Sequence, residues 1–195
     1  VYILINKLGG NMNICNNSKL RVNSKGIIKG IFEDKYGSRG VQKIKNMPIF
    51  SIPVEWSRGP CSTVSYAITL IDYDAIPVIG FPWIHWTVAN IPCYICSIKE
   101  NVSRKSNCFI EGVNSFSEDY LVKLNDIQDF RVSKKDAIGY GGFAPPDKPH
   151  VYTLKVYALN TKLNLTKGFF YNDMLKSMKN RVLAEGTFEG IYLNS

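Results

Sequence analysis

The sequence lacks the features that identify several large classes of protein. Its 195 residues contain no run of 18 apolar residues, which excludes a membrane-spanning helix. The apolar run at residues 1–5 also lacks the basic lead-in and cleavage site of a signal peptide, so we expect a cytoplasmic location. The composition is ordinary for a folded protein and argues against disorder, collagen and coiled coils, and no internal repeat is present.

Cysteine and histidine are both scarce. The five cysteines are scattered and odd in number, which does not favour a disulfide framework. Cys93 and Cys96 have the spacing of a redox or metal motif, but no second pair and no nearby histidine supports it, so we expect buried structural thiols. The two histidines, His85 and His150, restrict histidine chemistry to two positions.

Acidic residues are in the minority, and the net charge is +8. Residues 1–50 hold nine basic and two acidic residues, a net of +7, whereas residues 51–195 hold 15 and 14, a net of +1. A basic segment attracts phosphates by charge alone. The sequence has no zinc-finger spacing, RNP-like motif or basic heptad helix, however. We therefore expect a solvated basic surface with weak peripheral membrane contact at most, and no specific nucleic-acid binding.

The apolar residues are arranged mainly in strand patterns. Runs rich in β-favouring residues predict strands at 66–72, 84–91 and 187–193, and a shorter one at 107–113. Residues 151–159 alternate strictly between two faces, as a half-buried strand does. Runs of strand with little helical alternation indicate a sandwich or a barrel.

A single clear helical pattern lies near the end of the chain. Leu175, Met178 and Val182 repeat at i, i+3 and i+7, which predicts an amphipathic helix near residues 173–183. The predicted fold is therefore mostly β, with one or two short helices.

Polar side chains lie at the ends of three predicted strands. Asp72 ends the first of them, Trp83 and His85 open the second, and His150 opens the third. The loop at residues 139–149, directly before His150, contains three glycines and three prolines. Such strand ends converge at one end of a sheet, where binding residues are held by a rigid scaffold.

These segments resemble the motifs of the phosphatidylethanolamine-binding proteins, also called the Raf kinase inhibitor protein family, and look closest to its bacterial and archaeal branch. The family's DPDAP, WxHW, GPxPP and HRY segments correspond to residues 72–76, 83–86, 141–146 and 150–152. The resemblance covers about residues 20–194. Residues 1–20 are thus expected to be an N-terminal extension and 21–195 the domain.

The resemblance implies a β-sandwich with a large central sheet and a small anion pocket at one end of it. In the family this pocket takes phosphate-like groups, including phospholipid head groups, and no cofactor or metal is implied. By motif correspondence, the residues that line it are Asp72, His85, His150 and Tyr152, with Trp83, Ala75 and Pro145 as walls.

The chemistry of these residue types agrees with that implication. A histidine that donates from both ring nitrogens suits a phosphate oxygen, and an aspartate beside it favours the protonated ring. We expect Asp72 to orient a histidine, and Asp74 to accept hydrogen bonds from local backbone N–H groups. Tyr66, Tyr157 and Trp56 are expected in the core.

The sequence departs from the family pattern at several positions. Phe143 changes the third motif and is expected to narrow or reshape the pocket mouth, while Val151 replaces the arginine of HRY. The resemblance also implies a cis peptide bond before the second motif. The tertiary amide of an X–Pro bond tolerates this geometry, so we predict a cis Phe81–Pro82 bond, with Ile76–Pro77 as a weaker candidate.

Two other functions remain open beside a non-catalytic anion binder. Asp72, His85 and His150 would suit acid–base hydrolysis or a two-histidine, one-carboxylate metal site, although no GxSxG or HExxH motif is present. A module that regulates a kinase or a protease, as eukaryotic relatives do, is compatible with the same pocket.

Overall fold

The computed structural model describes residues 18–120 and 131–194. Over these residues, twelve strands form a seven-stranded sheet, a three-stranded sheet and a two-stranded hairpin. In chain order they are β1 (Val22–Asn23), β2 (Ile27–Ile28), β3 (Ile31–Phe32), β4 (Lys43–Ile44), β5 (Met47–Pro48), β6 (Val54–Trp56), β7 (Ser65–Asp72), β8 (Trp83–Pro92), β9 (Ser97–Ile98), β10 (Ile110–Glu111), β11 (His150–Leu159) and β12 (Val182–Tyr192). The helices are α1 (Ile76–Ile79), α2 (Lys134–Ala137) and α3 (Tyr171–Met178), with a 3₁₀ turn at Asp34–Tyr36.

The seven-stranded sheet has the strand order β10-β8-β7-β11-β12-β3-β2. Its neighbouring strands are antiparallel except β12 and β3, which run parallel and pair at Ile191 and Ile31. Strand β7, near the centre of the sheet, is buried along its whole length, in keeping with its nearly unbroken apolar run. The structure confirms the mostly β fold with a large central sheet.

The three-stranded sheet, in the order β1-β6-β9, contributes to the same core as the large sheet. Trp56 of β6 packs edge-on against Tyr66 of β7, with 5.4 Å between the ring centres. Val54 and Ile98 join the same buried cluster. Inner faces of two sheets that share one core form a β-sandwich, as the sequence predicted. Both aromatic residues are buried as expected.

Helix α3 covers part of the opposite face of the large sheet. Met174 and Met178, one turn apart, are buried in a cluster with Tyr157 of β11. The sequence predicted this helix, but its limits and buried face were partly wrong. Leu175 is 45% exposed, and the helix ends at Met178.

The early end of α3 has a local cause. Asn180 has a left-handed backbone with φ of 61°, which helical residues do not adopt. Val182 then pairs with Leu159, so β12 begins five residues before the predicted limit of 187. Strand β12 pairs with β11 along the whole of β11, and this pairing outweighs the helical spacing of Leu175, Met178 and Val182.

The predicted cis bond is wrong. None of the described peptide bonds is cis, and this includes Phe81–Pro82 and Ile76–Pro77. Pro77 lies in the first turn of α1. Backbone N–H groups in a first turn have no helical hydrogen-bond partner, so the missing N–H of proline costs nothing there. Gly80 follows the helix with φ of 89° and supplies the reversal before β8, so a trans Phe81–Pro82 bond fits the turn.

The described cysteines are free, but they are not the buried thiols that were expected. Cys61, Cys93 and Cys108 are exposed, and only Cys96 is partly buried. The fifth, Cys15, lies outside the described residues, as does nearly all of the predicted extension at 1–20. None of the helices in the described ranges is long and apolar enough to cross a membrane.

A matched pair of substitutions tests the buried face of α3. Met174→Ala should lower the free energy of unfolding by about 2–5 kcal/mol, because it leaves a cavity under the helix. Leu175→Ala should lower it by about 1 kcal/mol or less, because nearly half of this residue remains exposed. Urea denaturation measures both. A larger loss for Leu175→Ala would contradict the observed orientation of the helix.

Candidate functional site

The register of the central strands brings the predicted site residues together. Asp72, the last residue of β7, pairs with Trp83 at the start of β8 and with Tyr152 near the start of β11. His150 opens β11 two residues before Tyr152. One end of the sheet therefore carries residues from all three motif-bearing strands.

Asp72 holds two neighbouring segments with one carboxyl group. It is 4% exposed. Its Oδ1 accepts a hydrogen bond from the backbone N–H of Ala75 at 3.1 Å, and its Oδ2 lies 2.7 Å from Nδ1 of His150. The first contact shapes the turn into α1. The second orients a histidine, as the sequence predicted for this residue.

His150 lies between two carboxyl groups. Its Nδ1 contacts Asp72, and its Nε2 lies 2.8 Å from Oδ1 of Asp147. Because carboxylates only accept hydrogen bonds, both ring nitrogens donate, and the ring is an imidazolium. Burial alone would lower the pKa of His150, but the hydrogen bonds and charges of Asp72 and Asp147 outweigh it and raise the pKa. The hydrogen bond from His150 in turn lowers the pKa of Asp147.

His85 is held in the opposite protonation state. Its Nδ1 lies 2.7 Å from the carbonyl oxygen of Gly141, which can only accept, so Nδ1 carries a hydrogen. Burial lowers the pKa of His85 despite the raising influence of Asp72. The ring is therefore neutral near pH 7, and its Nε2 keeps an unprotonated lone pair.

Gly141 makes this close contact possible. Its N–H donates to the His85 carbonyl at 2.8 Å, so loop and strand are joined in both directions. A Cβ at this position would lie 2.6 Å from the Phe116 ring, too close for a side chain. The loop at 139–149 thus positions His85 through its backbone.

Tyr152 supplies a buried hydroxyl without a hydrogen-bond partner in the described part of the chain. Its side chain is fully buried, and its ring centre lies 5.1 Å from that of His85. Burial raises the pKa of Tyr152, so the group is a neutral O–H donor. The nearby backbone of Ala144 acts in the opposite direction on the pKa of Tyr152, although it does not form a hydrogen bond with the hydroxyl. Leaving such a group unpaired costs about 1–3 kcal/mol.

The three residues expected as walls are all buried. Trp83 packs edge-on against Phe116, with 5.1 Å between the ring centres, and Ala75 belongs to the same apolar cluster. Pro145 lies in the loop five residues before His150.

Two further side chains complete the surroundings of the site. Phe143 is fully buried, with its ring centre 4.2 Å from that of Tyr152 and 5.8 Å from that of His85, so it packs against two of the predicted site residues. Asp74 accepts a backbone hydrogen bond, but from Val151 of β11 at 2.9 Å rather than from its own loop. This contact ties Val151, which replaces the family's arginine, to the turn after β7.

Two contributors to the site were not predicted. Asp147 is recognisable in the sequence only as an acidic residue three positions before His150. Phe116 lies between Trp83 and His85, with ring-centre distances of 5.1 and 6.1 Å, but nothing in its sequence context indicates this. In residues 18–120 and 131–194, no three histidine, cysteine or acidic side chains are arranged to hold a metal.

Comparison with known proteins gives this geometry a context. Residues 20–193 match the sequence model of the phosphatidylethanolamine-binding protein family. The Bacillus subtilis protein YxkA is 43% identical over 159 residues, which are 80% of this chain and 90% of that protein. A Methanothermobacter thermautotrophicus protein is 30% identical over 73% of this chain and 82% of its own.

Solved structures give the same result for the fold. Escherichia coli YbcL, described as a new member of the mammalian PEBP family, superposes with a TM-score of 0.68 and 25% identity over 91% of this chain and 99% of its own. A structure described as a homologue of this family from Chlamydia trachomatis superposes with a TM-score of 0.71. Its identity is 23% over 92% of this chain and 100% of that chain.

The two histidines should titrate separately. At pH 6.5, the ordinary histidine pKa, His150 should be mainly charged and His85 mainly neutral, with its hydrogen on Nδ1. Long-range ¹⁵N NMR measures both, and the presence of only two histidines simplifies assignment. Asp72→Asn should lower the pKa of His150, because it removes one charge that holds the proton. Parallel titration of the two rings would contradict the assignment.

Proposed function

Since the chain belongs to the phosphatidylethanolamine-binding protein family, we propose that it is a non-catalytic binder of small phosphate-bearing or other anionic ligands, phospholipid head groups among them. The binding residues are Asp72, His85, His150 and Tyr152. One observation carries the proposal. The Nε2 of His150 already donates a hydrogen bond to an oxyanion, the carboxylate of Asp147, at 2.8 Å.

The polar groups offer both donors and an acceptor to a phosphate. His150 supplies a charged N–H, which forms the stronger kind of hydrogen bond. The Tyr152 hydroxyl has no partner in the described residues and gains one from a ligand oxygen. The free lone pair of His85 accepts a hydrogen from the P–OH of a singly protonated phosphate monoester, whose second pKa is about 6. A phosphodiester has no such hydrogen.

The bonding pattern does not support catalysis by a serine, threonine or cysteine nucleophile. Such a hydroxyl or thiol is activated by hydrogen-bond contact with a base. The hydrogen bonds of Asp72, His85 and His150 within the described residues involve no serine, threonine or cysteine. The proposal includes a cytoplasmic location and, because residues 1–50 carry a net +7, a weak attraction to anionic membrane surfaces.

Removal of the two histidines should abolish anion binding. His150→Gln should weaken the binding of inorganic phosphate by about tenfold or more, because a charge-assisted hydrogen bond is lost. His85→Ala combined with His150→Ala should reduce it further. Calorimetry at pH 6 with inorganic phosphate, phosphoethanolamine and glycerophosphoethanolamine separates free phosphate, monoester and lipid-like diester. Unchanged affinity in a folded double variant would defeat the proposal.

The hydroxyl of Tyr152 offers a test that separates binding from folding. Tyr152→Phe should weaken phosphate binding several-fold without loss of stability, because the hydroxyl it removes has no partner in the described residues. Tyr140→Phe is the matched control, since the Tyr140 hydroxyl donates to the Tyr36 carbonyl at 2.7 Å. It should cost about 1 kcal/mol of stability and leave binding unchanged. Equal phosphate affinities for Tyr152→Phe and the wild type would remove Tyr152 from the site.

A further inference from the structure

The carboxylate of Asp147 occupies the position that an anionic ligand would need. Its Oδ1 lies 2.8 Å from Nε2 of His150, the ring nitrogen that does not face Asp72. A carboxylate oxygen and a phosphate oxygen are the same kind of partner for an imidazolium N–H, because both are charged acceptors. One N–H cannot form a full hydrogen bond with each.

Exposure shows how Asp147 is placed relative to solvent. The side chain of His150 is completely buried, whereas that of Asp147 is 46% exposed. Asp147 therefore connects the buried imidazolium to the surface. In this arrangement the charged N–H is shielded, and a ligand reaches it only when the carboxylate moves away.

The contact with His150 is the main attachment of the Asp147 carboxylate. Within the described residues, His150 is the only side chain with which it forms a hydrogen bond or an ion pair, while the backbone at Asp147 and Lys148 adds smaller contributions that favour its charged form. The backbone carbonyl of Asp147 accepts a long hydrogen bond of 3.4 Å from Nδ2 of Asn194. Rotation about the side-chain torsions frees Nε2 of His150 without movement of the backbone.

Charge adds to this steric competition. With His150 protonated, Asp72 and Asp147 on either side of it leave a local net charge of −1. Asp74 is the next acidic group, and it is held by the N–H of Val151. His85 is neutral. An incoming anion is therefore repelled until Asp147 leaves, after which His150 and Asp72 form a neutral pair with one free N–H.

We propose that Asp147 is an intramolecular competitor that sets the affinity and selectivity of the anion site at His150. This inference rests on the proposed anion-binding function. The site is closed to a ligand while the Asp147 carboxylate is bound to Nε2 of His150. The apparent affinity is therefore the affinity of the open site multiplied by the fraction of molecules in which the site is open. A ligand with a single acceptor oxygen gains little on displacing the carboxylate. A phosphate, which also reaches Tyr152 and His85, gains more.

Substitution of Asp147 should therefore strengthen binding. Asp147→Ala should lower the Kd for inorganic phosphate by about tenfold at pH 6, as the release of one charge-assisted hydrogen bond permits. Asp147→Asn, which keeps the shape but removes the charge, should give a smaller gain. The same substitutions in the His150→Gln background should have little effect, because the contested N–H is absent.

Glu185→Gln is the matched control. It makes the same change of charge at an exposed residue of β12. It lies seven positions before Tyr192, the partner of His150, and so about 23 Å along the strand. Its phosphate affinity should stay within twofold of the wild type. An equal gain in this control would show a general charge effect and overturn the role of Asp147.

A second measurement separates failure of this inference from failure of the proposed function. Asp147→Ala should lower the pKa of His150 in NMR titrations without ligand, because it removes one of two stabilising charges. If wild type binds phosphate and Asp147→Ala binds it equally or more weakly, the competitor role is wrong while anion binding stands. If the pKa falls but neither protein binds phosphate, anion binding itself fails, and the competitor role fails with it.

Discussion

The buried contact between Asp72 and His150 is the interaction on which the candidate site depends. It joins the end of β7 to the start of β11 at 2.7 Å, and the same carboxyl group binds the N–H of Ala75. Removal of His150 leaves the buried carboxylate of Asp72 without its charged partner, a change that typically costs about 3–5 kcal/mol. The geometry of the site and the turn into α1 are thus fixed together. Residues that bind a ligand here are also residues that hold the strand ends in place.

Burial lowers the pKa of both histidines, but the acidic neighbours of His150 reverse the shift there, and this difference gives the site its range of hydrogen-bonding partners. Acidic neighbours raise the pKa of His150 above that of an unfolded chain, so its contribution to stability is complete below about pH 6.5 and is lost as pH rises through the raised value. Burial lowers the pKa of His85 below that of an unfolded chain, so its contribution to stability is complete above about pH 6.5 and is lost as pH falls through the lowered value. Near neutrality one ring donates and the other accepts.

The sequence predicted what local pattern controls and missed what tertiary contacts decide. The limits of β7, β8 and β11 lie close to those read from apolar runs, because strands buried in a sheet need continuous or alternating apolar residues. Asp72, His85 and His150 follow from motifs at those strand ends. The contact of Asp147 with His150 could not be predicted from the motifs, because the spacing of residues does not determine side-chain torsions in a proline-rich loop. The end of α3 was missed for a similar reason, since strand pairing displaced a helical pattern that was locally reasonable.

The pairing of β12 has a consequence for how the protein folds. Strand β12 lies between β11 and β3 and pairs with both, so the sheet cannot be completed until the last strand of the described chain is available. Contacts between distant parts of a chain form slowly, because the entropy of closing a long loop is lost first. During synthesis, β11 and β3 therefore have unpaired strand edges until β12 is available. Unpaired edges are prone to pair with other chains. Since Tyr192 of β12 pairs with His150, the end of the sheet that carries the candidate site is among the last parts of the nascent chain to acquire its native neighbours.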